Sequence, residues 1–171
     1  MASWTAPVTH ATGDVLAVTD WNGLANDITF LYEAPYTNAY MSTAASVATA
    51  TATQLPLGTV SFSAYGFALD TSTGNLTMPL TGLYAVQALA TLTTTAAGPV
   101  LAQVYHNGSV ALSGGWSYGP AGNTPASASG ILLVTNNDNI GLWCTQSTGS
   151  TINAVTGAQA TWLSAYFVGS Q

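Results

Sequence analysis

The stretch T-M-P-L-T-G-L-Y-A-V-Q-A-L-A-T-L, residues 77–92, places the tightest limit on what this chain can fold into. Pro79 and Gly82 punctuate a turn, after which Tyr84, Val86, Ala88, Ala90 and Leu92 recur with the period of two that marks a β-strand. The intervening positions, Leu83, Ala85, Gln87, Leu89 and Thr91, are small or apolar with one amide, where a strand wetted on that side would carry charges. Both faces of this strand are therefore expected to be covered, by a second sheet or by neighbouring subunits.

A chain of 171 residues removes roughly two-thirds of its unfolded surface from water on folding, enough for one main domain with a short appendage. An apolar fraction of 48%, abundant Gly, Ser, Thr and Ala, and alternation at short spacing favour an all-β sandwich over a helical or α/β fold and argue against disorder. There is no Lys or Arg, and the only acids are Asp14, Asp20, Asp27, Glu33, Asp70 and Asp138, for a net charge of −6. Without cations to neutralise phosphates, sequence-independent nucleic-acid binding is close to excluded, and anionic membranes are disfavoured. A head with so few charges lacks the usual protection against association, so much of its surface is expected to be hydroxyl-rich or hidden in an oligomer. Cys144 is the single cysteine, which excludes an intrachain disulfide, and it reads as a small buried residue. No signal peptide is visible and no apolar run approaches the ~20 residues of a transmembrane helix, so assembly in a cytoplasm is expected.

Residues 1–18 read as an extended arm anchored by Trp4, Pro7, Val15 and Leu16. Residues 19–32 read as a helix, with Thr19 as N-cap, Asp20 in the first turn, and Trp21, Leu24, Ile28 and Leu31 on one seam. Pro35 sets a boundary, giving an arm with its helix over 1–38 and a globular domain over 39–171. Residues 42–53, rich in Ser, Thr and Ala, are either a linker or a first strand. Strands are then expected at 59–69, 76–78, 83–93, 100–106, 109–112, 127–135, 140–146 and 161–168, separated by turn compositions. Asn107-Gly108 has the chemistry of a type I′ hairpin. Eight or more short strands point to a two-sheet jelly roll.

With the strands so placed, residues 45–171 resemble the jelly roll of complement globular heads and tumour-necrosis-factor-like (TNF-like) trimers. The matching pieces are T-G-L-Y at 81–84, the Asn107-Gly108 hairpin, L-V-T-N-N-D-N-I at 133–140 and T-W-L-S-A-Y-F-V-G at 161–169. That resemblance implies a homotrimer, with Tyr84, Val86, Leu89, Trp143, Trp162 and Tyr166 in its core or at its interface. The N-N-D-N turn departs from the family in carrying an Asn at the usual Gly position, and no collagen-like stalk accompanies it. The leader W-T-A-P-V-T-H-A-T-G-D-V-L-A-V-T-D-W-N-G-L-A-N-D-I-T-F-L is similar to the N-terminal segment of many tailed-bacteriophage virion proteins, and implies attachment or trimerisation through Trp4, Pro7, Val15, Leu16, Trp21, Leu24, Ile28 and Leu31.

No catalytic constellation stands out. Asp70 and Asp138 occupy turn-like sequence, where Asp bonds its own backbone, and His106 beside a hairpin turn is more simply a surface or interface residue than a base. No cofactor is implied, and one chain offers no metal-ligand set. The glycine-rich loop with Trp116 and Tyr118 is the candidate ligand loop, able to stack on sugars or anchor a partner; the plainer alternative packs both rings over the fold or against the next subunit. The two resemblances together imply a non-enzymatic, homotrimeric virion surface protein, a capsid decoration or head fibre contacting a major capsid protein. The alternative is a minor tail or baseplate protein that recognises host-surface glycans.

Overall fold

The structure, a computed structural model, describes residues 19–25 and 34–170. The chain divides into two compact units, Met1–Ala34 and Pro35–Gln171. In the first, residues 19–25 are helical, with Trp21 and Leu24 exposed. Trp4, Pro7, Val15, Leu16, Ile28 and Leu31 lie outside the described residues.

The second unit is built of antiparallel strands: β1 (Tyr36–Tyr40), β2 (Ser46–Val47), β3 (Thr53–Gln54), β4 (Thr59–Ala64), β5 (Ala68–Asp70), β6 (Asn75–Thr77), β7 (Gly82–Thr94), β8 (Gly98–His106), β9 (Ser109–Ser113), β10 (Ser117–Gly119), β11 (Gly122–Val134), β12 (Asn139–Gln146), β13 (Ile152–Ala154) and β14 (Trp162–Gly169). Sheet 1 runs β11-β7-β14-β1-β4, with β13 and then β2 continuing the β14 edge of β7. Sheet 2 has β8 and β12 at its centre, β9 and β10 along one edge, and β3, β6 and β5 along the other. The long strands β7, β8, β11, β12 and β14 alternate between the sheets, which is how a jelly roll closes one core between two layers.

The alternation in the sequence lands as the pleat requires. Tyr84, Val86, Ala88, Ala90 and Leu92 of β7 are buried together with Ala39, Leu163 and Ala165 of sheet 1 and with Val100, Ala102, Val104, Ile140, Leu142 and Cys144 of sheet 2. Burial pushes the Cys144 thiol up to about 12, so it is inert as a nucleophile in the fold. Tyr84 packs edge-on to Phe167 (5.1 Å between centroids) and Phe67 (6.1 Å) and donates its hydroxyl to the Leu80 carbonyl at 3.2 Å. Gly82 is what lets that cluster close: its φ is +156°, and a Cβ there would stand 2.5 Å from the Phe167 ring.

Four local expectations are revised by the pairing. The domain boundary falls between Ala34 and Pro35, because β1 is paired on both edges, with β14 and β4, and belongs wholly to the sandwich. The single strand expected at 59–69 is two, since β4 joins sheet 1 and β5 sheet 2; the chain changes sheet through Tyr65 and Gly66, with φ of 66° and 81°. Residues expected as a loop at 114–125 contribute β10 and the start of β11. The second face of β7 is covered by its own chain only at Thr91, whose hydroxyl donates to the Ala160 carbonyl at 2.6 Å; Leu83, Ala85 and Leu89 remain partly open and Gln87 exposed.

Residues 42–53 are held down rather than left as a linker. Val47 is fully buried, and the buried Gln146 side chain donates to the carbonyls of Val47 (3.1 Å) and Ser150 (2.8 Å) while accepting from the Thr148 N–H (2.7 Å) and hydroxyl (2.8 Å). One amide thereby ties three segments, and all of its bonds are made inside the fold. Gln146→Ala strands those backbone groups and is expected to cost about 3 kcal/mol, a fall in Tm on the order of 10 °C by thermal melt. A change below ~1 kcal/mol shows that the tie is dispensable.

Candidate functional site

Directly paired residues share a face, so the register draws the outer surface of sheet 1 as rows. One row crosses β4, β1, β14, β7 and β11 as Ala64, Tyr36, Tyr166, Ala85 and Ile131. The next is Phe62, Asn38, Ser164, Gln87 and Ser129; the next holds Tyr40, Trp162, Leu89 and Ser127. Leu83 and Leu133 pair beyond the first row. Tyr36 and Phe62 lie with ring centroids 5.7 Å apart. Phe62 and Tyr166 are each 54% exposed, Ile131 57% and Leu133 47%, and no residue on these rows is charged. A face with this many large exposed apolar side chains and no charge has the composition of an interaction surface.

The six residues expected at the core or interface of a trimer divide among three places. Tyr84 and Val86 are core residues between the sheets. Leu89, Trp162 and Tyr166 stand on the outer face of sheet 1. Trp143 belongs to the opposite sheet, where its ring stacks on Tyr105 at 4.4 Å with 20° between planes. Tyr36, Phe62, Ile131 and Leu133 join the face without having been singled out, because their positions follow only from which strands pair.

Trp116 and Tyr118 flank the inward-tending Ser117 of β10, which pairs with β8 through Ser117–Val100 and Gly119–Gly98. Gly114 lies so close to the Ser127 carbonyl, and Gly119 to the Thr124 side chain, that a Cβ at either would collide. The segment is pinned, and its two rings are presented outward, Trp116 at 47% exposure and Tyr118 at 76%.

A polar knot closes the end of the sandwich where the β8–β9 and β11–β12 turns meet. Asn107 and Gly108 have φ of 48° and 81°, both left-handed as the type I′ hairpin demands, and Asn137 takes φ of 70° at the Gly-like position of the N-N-D-N turn. Asp138 accepts from Asn107 Nδ2 (2.7 Å) and the Thr135 N–H (2.7 Å) and lies 2.7 Å from His106 Nε2. Asn107 Oδ1 accepts from the Asn139 N–H at 2.9 Å. Partial burial works to raise the Asp138 carboxyl, but the bonds from Asn107, Thr135 and His106 outweigh it and hold the group below its ordinary range. Asp70 is spent on its own turn, accepting from Ser72 N–H and hydroxyl and the Thr73 hydroxyl, which hold it at about 2. Sequence reasoning did not join His106 to Asp138, as 32 residues separate them and only the β8–β12 register, with His106 opposite Ile140, brings them together. Among the described residues no group of three or more His, Cys, Asp or Glu is gathered that could hold a metal ion.

No family model matches the chain, and no curated protein sequence matches it. Solved structures do. The Eiger TNF of S. frugiperda superposes with a TM-score of 0.56 at 14% identity, over 81% of this chain and 93% of that one. Murine APRIL superposes with a TM-score of 0.57 at 11% identity, over 78% and 98%. The fold is a TNF-like jelly roll. At such identities the likeness reaches the arrangement of strands and stops there.

The depressed Asp138 carboxyl makes the knot acid-sensitive. Its stabilisation is complete above the unfolded value of 3.8 and is lost as pH falls through the lower folded value. Asp138→Asn is expected to lower Tm at pH 7 and to flatten the wild-type decline in Tm below about pH 4. Parallel Tm–pH curves for the two proteins would rule out that contribution.

Proposed function

We propose that the chain is a homotrimeric structural protein of a tailed-bacteriophage virion, a capsid decoration or head-fibre protein. In this reading the jelly roll projects from the virion surface and residues 1–34 attach it to the capsid. The observation that carries the self-association is the outer face of sheet 1, broad, aromatic and without charge. In a chain of net charge −6 with no cation, copies can meet without like-charge repulsion only on faces empty of acids, and the two acids of the head, Asp70 and Asp138, sit in turns away from these rows. Each large side chain buried there contributes roughly 1.5 to 3 kcal/mol, before the cost of association. The common threefold assembly of TNF-like folds supports three copies, and the leader's likeness to phage virion arms supports the virion.

Two measurements test the parts separately. Light scattering on purified protein is expected to give three protomers, and Tyr166→Glu with Ile131→Glu to give folded monomers, the pair raising the dissociation constant at least 100-fold; an unaltered trimer would remove the face from the interface. Deleting residues 2–33 is expected to abolish incorporation into particles while leaving a soluble trimer. Incorporation without the arm defeats the attachment role.

A second reading, a tail or baseplate protein that binds host-surface glycans, draws on the pinned, outward Trp116 and Tyr118. Aromatic rings held on a short strand offer large contact area with little entropy left to lose. Glycan-array binding that disappears in Trp116→Ala and Tyr118→Ala would favour it over a purely structural role. A folded trimer that binds no glycan excludes it.

A further inference from the structure

The apolar face of sheet 1 is crossed by one polar row, and it lies inside the face rather than at its rim. Asn38 of β1, Ser164 of β14, Gln87 of β7 and Ser129 of β11 are in register and the row ends at Phe62 of β4, with the Tyr36–Tyr166–Ala85–Ile131 row on one side and Tyr40–Trp162–Leu89–Ser127 on the other. Ser164 reaches back to the Gln87 carbonyl at 3.5 Å. Among the described residues the amides of Asn38 and Gln87 make no hydrogen bond within the chain, and Gln87 is exposed. This contrasts with Gln146, whose amide bonds are made inside the fold. A solvated surface has no need to set two unpaired amides between belts of Tyr, Trp, Ile and Leu.

We infer that this row selects a single registration between copies of the chain, with Gln87 as its specificity-determining residue. The inference rests on the self-association proposed above and says what disciplines it. Apolar rows slide past one another at little cost, since Leu against Tyr is nearly as good one strand over. An amide carries two donors and two acceptor sites and loses its water on burial, so only arrangements that give it a protein partner are tolerated. One polar position inside an apolar seam thereby trades some affinity for a unique assembly. In a chain without Lys or Arg, interfacial ion pairs are not available for the task, and amides and hydroxyls must do it.

Sedimentation velocity on wild type, Gln87→Leu and Gln87→Glu tests the point, with circular dichroism to check that each protomer is folded. Wild type is expected as one oligomeric species. Gln87→Leu should associate more tightly, with a dissociation constant at least 5-fold lower, and distribute over more than one species. Gln87→Glu should dissociate at pH 7.5, where its carboxylate is charged, and reassemble at about pH 4.0, where most of it is neutral and shaped like the amide. A single Gln87→Leu species, tighter or not, overturns the selecting role, as does Gln87→Glu assembly that ignores pH. A monomeric wild type instead removes the self-association itself, so the two failures are told apart.

Discussion

β7 is the strand on which the rest depends, since it has a neighbour on each edge and a packed inner face. β11 pairs along its whole length on one side, and β14 and β13 share the other. Its inner residues, from Tyr84 to Leu92, meet the core of sheet 2. A strand paired on both edges satisfies its backbone groups without water, so its side chains can be almost wholly apolar without exposing an edge to aggregation. Gly82 sets where that strand begins, because only a residue without a Cβ leaves room for the Phe167 ring over Tyr84.

A head with two formal charges has to fasten its ends by other means. It does so with short-side-chain and amide networks: Gln146 holding 42–53, Thr94 donating towards the Pro120 and Gly122 carbonyls, and Asp138 gathering Asn107, His106 and Thr135. These bonds are short-ranged and directional, so they lock turns in place without adding a long-range field. The consequence is a surface with little electrostatic repulsion, on which apolar area is free to meet apolar area. The two outward faces then differ in kind. Sheet 1 presents a broad patch spanning five strands, whereas sheet 2 carries a compact Tyr105–Trp143 stack and, at its edge, Tyr118 on β10 and Trp116 just before it.

Much of this was readable from residue order, because it depends on local chemistry. Period-two alternation identified β7, β8, β12 and β14 to within a residue or two, and Asn107-Gly108 named its own turn. Weak spots were strands whose identity comes from neighbours rather than from composition. β1 reads as a post-helix loop until β14 and β4 flank it, β2 and β3 are two residues each, and the break at Tyr65–Gly66 has no local mark beyond one glycine.

The sequence by itself determined that this chain forms a nearly uncharged β-sandwich with more apolar surface than one core can use, since alternation, turn chemistry and charge are properties of neighbouring residues. Only the tertiary structure decided which side chains share a surface. Tyr36, Phe62, Ile131 and Tyr166 come from four strands far apart in the chain, and Trp143, similar in composition to its partners Trp162 and Tyr166, falls on the other sheet. Strand order and register are set by pairings between distant segments, and a shift of one residue would turn each side chain to the opposite face, so no local pattern can state them.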